Sequence, residues 1–158
     1  MSNADRWVFL AYRLPRDPSA PRLAVWRRLK RLGVAQLLDG LAALPADSRN
    51  REQLEWTAEQ VTEAGGQAAV WLTEPTTQAQ SRKIVERMSA AIAEQYREVE
   101  KEAHQAAAVP ERERRTTLAR LRRELGRIRR RDYFPPRERE AARAAVESLA
   151  QSVKEIAA

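Results

Sequence analysis

The chain has 158 residues, 43% of them hydrophobic and 32% charged, with 29 Lys and Arg against 22 Asp and Glu and no cysteine. That length supports one folded domain with a core and room for an extension. The missing cysteine excludes disulfides, thiolate metal sites and cysteine nucleophiles. No 18-residue apolar run is present for a membrane span, and the N-terminus lacks a basic-then-apolar signal pattern, so a cytoplasmic protein is expected.

"RWVFLAYRLP" (6–15) predicts a strand ended by Pro15, apolar on both faces: Val8, Leu10, Tyr12 and Leu14 alternate with Trp7, Phe9 and Ala11. Two apolar faces suit a central, covered strand. "DPSAPRLAVWRRLKRLG" (17–33) predicts a helix with Ser19 as N-cap, Pro21 near its start and Gly33 just past its end. On a helical wheel Leu23, Val25, Trp26, Leu29 and Leu32 share one side, expected to be core. Arg27, Arg28 and Arg31 fall opposite, a candidate anion-binding face. Asp39-Gly40 is a hairpin signal between short apolar runs at 34–38 and 41–45, although their Leu and Ala content also fits a short helix.

A second helix is predicted over 48–66, capped by Ser48 and stopped at Gly65-Gly66, with Leu54, Ala58 and Val61 on one face. A last strand follows over 67–75. The order β-α-β-β-α-β implies an α+β, ferredoxin-like sheet domain over residues 5–75, with both helices on one face. Its first and last strands would then be neighbours. Trp7, Phe9, Ala69 and Trp71 would form an apolar patch on the open face, to be covered by the C-terminal segment or a second copy of the chain.

Residues 76–158 predict a helical extension of three helices that packs on the sheet domain or forms a dimer seam. The first, free of Gly and Pro over 79–107, would be about 40 Å long, with a stripe through Ile84, Met88, Ile92, Tyr96 and Val99. The second, over 111–131, aligns Leu118, Leu121, Leu125 and Ile128. The third opens near Pro136, its stripe formed by Ala142, Val146, Leu149, Val153 and Ile156.

Residues 111–131 hold 10 Arg against 3 Glu, a surplus equal to the formal net charge of +7. Arg120, Arg123, Arg127 and Arg130 fall on one side of that helix. The guanidinium fork suits phosphate and other oxyanions, and the pI near 10.5 agrees with an anionic partner. The residues that enzymatic chemistry would need are missing. His104 is the only histidine and lies on a helix among polar neighbours. No His pair is available for zinc and no Gly-rich phosphate loop occurs, so no cofactor or metal is indicated. Arg13 stands near the end of the first strand, where a metal-dependent nuclease of this topology would carry a carboxylate, and Asp17 lies past Pro15. Glu94, Glu98 and Glu102 are expected to pair with Arg97 or Lys101 on a solvated face.

Taken in order, Trp7 to Pro15, Arg22 to Gly33, Asp39 to Pro45, Gly65 to Leu72 and the late Asp132-Tyr133-Phe134 resemble the N-terminal domain of ChrB, the chromate-resistance regulatory protein. The resemblance covers nearly the whole chain and rests on the order of the pieces. It implies a DNA-associated transcriptional regulator of chromate resistance, with the N-terminal part touching DNA. It also implies a separate C-terminal sensing domain in full-length members, which this chain is expected to lack. The alternative reading is a non-enzymatic oxyanion-binding or protein-interaction module without DNA contact. The expected partners are therefore DNA, or chromate or another oxyanion, and the sequence also admits a homodimer. Clear helix-turn-helix spacing is absent.

Overall fold

A computed structural model describes residues 5–157. It divides into two compact units, with the boundary between Met88 and Ser89. The first unit holds β1 (Trp7–Arg13), α1 (Ser19–Leu32), β2 (Ala35–Leu38), β3 (Leu41–Pro45), α2 (Ser48–Glu63), β4 (Gln67–Thr73) and the start of α3 (Gln78–Ala106). The second holds the rest of α3 with α4 (Glu111–Arg130) and α5 (Glu138–Ala157).

The first unit is built on a four-stranded antiparallel sheet of order β2-β3-β1-β4. β1 is central, as its two apolar faces require. Val8 lies between Leu44 and Leu72, and Phe9 between Ala43 and Trp71. α2 packs over β1 and β4, with α1 beside α2. Leu72 lines a cleft with Arg51 and Glu55 of α2, so α2 covers the face carrying Val8, Leu10 and Leu44. Those three side chains are fully buried, as are Leu54 and Val61 of α2. The hairpin turns at Gly40, whose φ is 78°. A Cβ there would stand 2.4 Å from the Tyr12 carbonyl oxygen, so both dihedral and space demand glycine.

Several expectations are corrected. The core side of α1 is narrower than its wheel suggests. Val25 and Leu29 are buried, but Leu23 is 46% and Trp26 55% exposed. Among the described residues the helix packs chiefly against α2, and a stripe nearly half the circumference wide exceeds that contact. Trp26 instead lies under Lys30, whose Nζ sits 4.8 Å from the ring centroid, a cation–π contact at the surface. Ser19 lies inside α1; the N-cap is Pro18, without a side-chain hydrogen bond. At α2 the cap is Asp47, not Ser48: its carboxylate accepts from the Asn50 N–H at 2.6 Å.

The expected apolar patch is also smaller. Trp7 is fully buried, and its indole N–H donates to Ser81 Oγ, on the first turns of α3, at 3.1 Å. Phe9 is half-buried, while Ala69 and Trp71 on edge strand β4 stay exposed.

In the second unit the three helical stripes converge. Ile92, Tyr96, Val99, Ala103 and Ala106 of α3 join Leu118, Leu121 and Ile128 of α4 and Ala142, Val146, Leu149 and Val153 of α5 in one buried cluster. The side chain of Ile156 lies outside the described residues. α4 has Glu111 and Glu113 in its first turn and Arg127, Arg129 and Arg130 in its last, a distribution that favours the helix dipole.

Candidate anion-binding surface

α4 presents its arginines because its core contact is a narrow row. Leu118, Leu121 and Ile128 face inward with Leu125 against them, leaving most of the circumference to solvent. The arginines there divide into two groups. Arg115 pairs with Glu111 at 2.6 Å, Arg127 with Glu124 at 2.6 Å, and Arg120 with Glu102 of α3. Arg131 is held by Gln95 and lies 3.8 Å from Glu124. Arg112, Arg122, Arg123, Arg129 and Arg130 are exposed and have no acid partner among the described residues.

At 100° per residue Arg112, Arg123 and Arg130 form one row about 27 Å long, and Arg122 and Arg129 a second row beside it. Of the four arginines singled out in the sequence, Arg123 and Arg130 keep an uncommitted guanidinium, whereas Arg120 and Arg127 share theirs with carboxylates. Arg112 continues the row of Arg123 and Arg130 two turns before Arg120, and Arg122 and Arg129 lie on the row beside it, outside the side singled out in the sequence. Removing from the whole exposed arc every Arg with a Glu three or four residues away would have found them.

On α1, Arg27 and Arg31 are exposed and without an acid partner among the described residues. Arg28 is half-buried and donates to Gln60 Oε1 at 3.4 Å. This face belongs to the first unit and the α4 rows to the second. Of the α3 acids expected to pair along the helix, Glu94 pairs with Arg97 at 2.9 Å, Glu102 meets Arg120 of α4 instead, and Glu98 has no ion pair among the described residues. His104 is exposed, 3.5 Å from Glu100.

Below α4 lies a small buried polar group. Tyr96 is fully buried, and its hydroxyl donates to Asp132 Oδ2 at 2.8 Å. Asp132 Oδ1 is buried without a hydrogen-bond partner among the described residues. Burial raises the Asp132 carboxyl above its ordinary range, against the Tyr96 hydrogen bond and the Arg139 charge, which both lower it. Burial, followed by the Asp132 hydrogen bond and charge, keeps Tyr96 protonated. This pair ties α3 to the segment after α4 and steadies the helix that carries the arginines.

Among the described residues no cluster of three or more His, Cys, Asp or Glu could hold a metal, and no helix is long and apolar enough to cross a membrane. These features define an α+β protein whose most developed surface is an arginine-rich helix. The chain belongs to the family described as "Protein ChrB, N-terminal", whose profile matches residues 22–158, and is thereby a ChrB-like protein related to chromate resistance. No curated protein and no solved structure matches it. The matched residues begin at α1, so the central strand β1 precedes them.

Proposed function

We propose that the protein is a DNA-associated regulator of chromate resistance, in which α4 lies along the phosphate backbone. The observation carrying this reading is the set Arg112, Arg122, Arg123, Arg129 and Arg130, exposed and without acid partners among the described residues, on one helix of a ChrB-family chain. Counterions released from about five phosphates give log K against log salt a slope near −4.5, or roughly 20-fold weaker binding per doubling of salt. Arginine rows without a helix-turn-helix favour backbone contact over base readout, so promoter and random duplexes should bind within about tenfold of each other. The role is non-enzymatic and needs no cofactor. The strand order β2-β3-β1-β4 within β-α-β-β-α-β supports a ferredoxin-like first unit as the scaffold.

Fluorescence anisotropy with a labelled duplex across a salt series tests the proposal. Binding at low salt with a slope between about −4 and −5 supports it. No binding at the lowest salt overturns it and returns the protein to the oxyanion-binding or protein-interaction class. Calorimetry with chromate and with sulfate then separates those two.

A further inference from the structure

β2 and β4 are the two edges of the sheet, and they differ. β2 has four residues, its pairing is irregular between Gln36 and Leu38, and the Gln36 amide donates to the Leu38 carbonyl at 2.8 Å. A short strand, a bulge and an occupied carbonyl are devices that keep another strand from pairing. β4 carries none of them. Its seven residues run in unbroken register against β1, with no charge, proline or glycine. Beyond that ladder its backbone groups have no backbone partner among the described residues. Trp71 is 60% and Leu72 52% exposed. A long, uncharged, unblunted edge is a template for strand addition.

We propose that β4 pairs antiparallel with β4 of a second copy of the chain, about a two-fold axis at Val70, joining the two sheets into one. An isologous contact must be complementary to itself, and this strand is. Centred on Val70, the register sets Ala69 against the partner's Trp71 and Ala68 against the partner's Leu72, so each large side chain faces an alanine. Gln67 meets the partner's Thr73, and all seven residues are used. Moving the centre to Ala69 sets Gln67 against Trp71 and leaves both Leu72 and Thr73 unmatched in the strand.

Sedimentation velocity of the full chain over about 1–100 μM is expected to show a monomer–dimer equilibrium. Gln67→Glu with Thr73→Glu faces like charges across both ends of the seam and should weaken association at least about tenfold. Gln67→Glu with Thr73→Lys makes those ends complementary and should restore association to within about threefold of the unmodified chain. Circular-dichroism melts establish that both variants are folded. The chain has no cysteine, so Gln67→Cys gives a single nitroxide site in an otherwise unaltered strand. Six strand steps place the two labelled backbones about 20 Å apart. A monomer throughout the concentration range, a dimer indifferent to both charge pairs, or a label separation beyond about 40 Å overturns the proposal.

Discussion

Tyr96→Phe deletes one hydroxyl and leaves the ring in place. In the intact protein that hydroxyl is the hydrogen-bond donor to Asp132 Oδ2 at 2.8 Å, and Asp132 Oδ1 has no hydrogen-bond partner among the described residues. After the substitution neither carboxylate oxygen has a hydrogen-bond donor among the described residues at this part-buried site. A lost bond that strands a buried acceptor costs about 1–3 kcal/mol, and more when the acceptor is charged. Melting of a chain this size shifts by about 2–4 °C per kcal/mol.

The pH dependence identifies the cause. The Asp132 carboxyl lies above its ordinary value because of burial, so the native state holds its proton more tightly than the unfolded chain does. This contribution to stability is fully present below the unfolded value of 3.8 and is lost as pH rises through the folded value. The Tyr96 bond lowers the folded value, so removing it raises that value further and extends the loss. Tyr96→Phe should therefore cost more at pH 7 than at pH 4. Urea denaturation at both values measures the difference. Equal costs at the two pH values, or a cost below about 0.5 kcal/mol at pH 7, would show that the hydroxyl does not support the carboxylate.

On α1, Leu29→Ala should cost about 2–5 kcal/mol and Leu23→Ala about 1 kcal/mol or less, although the wheel puts both on one side; Leu29 is 2% and Leu23 46% exposed. Equal costs in denaturant titrations would restore the wider core face. Gly40→Ala forces a left-handed dihedral and a backbone clash on the hairpin, for a loss of about 1–3 kcal/mol in the same assay; an unchanged midpoint would contradict the turn geometry. A chain beginning at residue 22 keeps every family-matched residue but lacks β1, the only strand beside β4 among the described residues. Its amides at 67–73 should lose hydrogen-exchange protection, and retained protection would refute the central place of β1.

Where one residue type has one physical use, sequence and structure agree. Asp39-Gly40 turns the hairpin because the close approach to Tyr12 tolerates only glycine. Gly33, at φ 77°, ends α1 as expected. The helical stripes from Ile92 to Val153 hold because each has a single apolar row. Agreement fails where a side chain has competing uses. Trp26 satisfies a core pattern but lies at the surface under Lys30. Trp7 belongs to the face the two helices leave open, yet α3 reaches it through Ser81, a contact 74 residues away that no local pattern encodes. The arginine surface was legible as a charge total and not as a site. Local Glu residues cancel Arg115 and Arg127, while Arg120 is matched by Glu102 from another helix.

The central claim, that the α4 arginines without acid partners meet DNA phosphate, is tested by comparing two variants in one salt-titrated anisotropy series. The first changes Arg122, Arg123, Arg129 and Arg130 to Gln; the second changes the ion-paired Arg115, Arg120 and Arg127 to Gln. The first should flatten the salt slope by about 3–4 and the second by less than about 1. Equal flattening by both variants, or an unchanged slope in the first, would contradict the account.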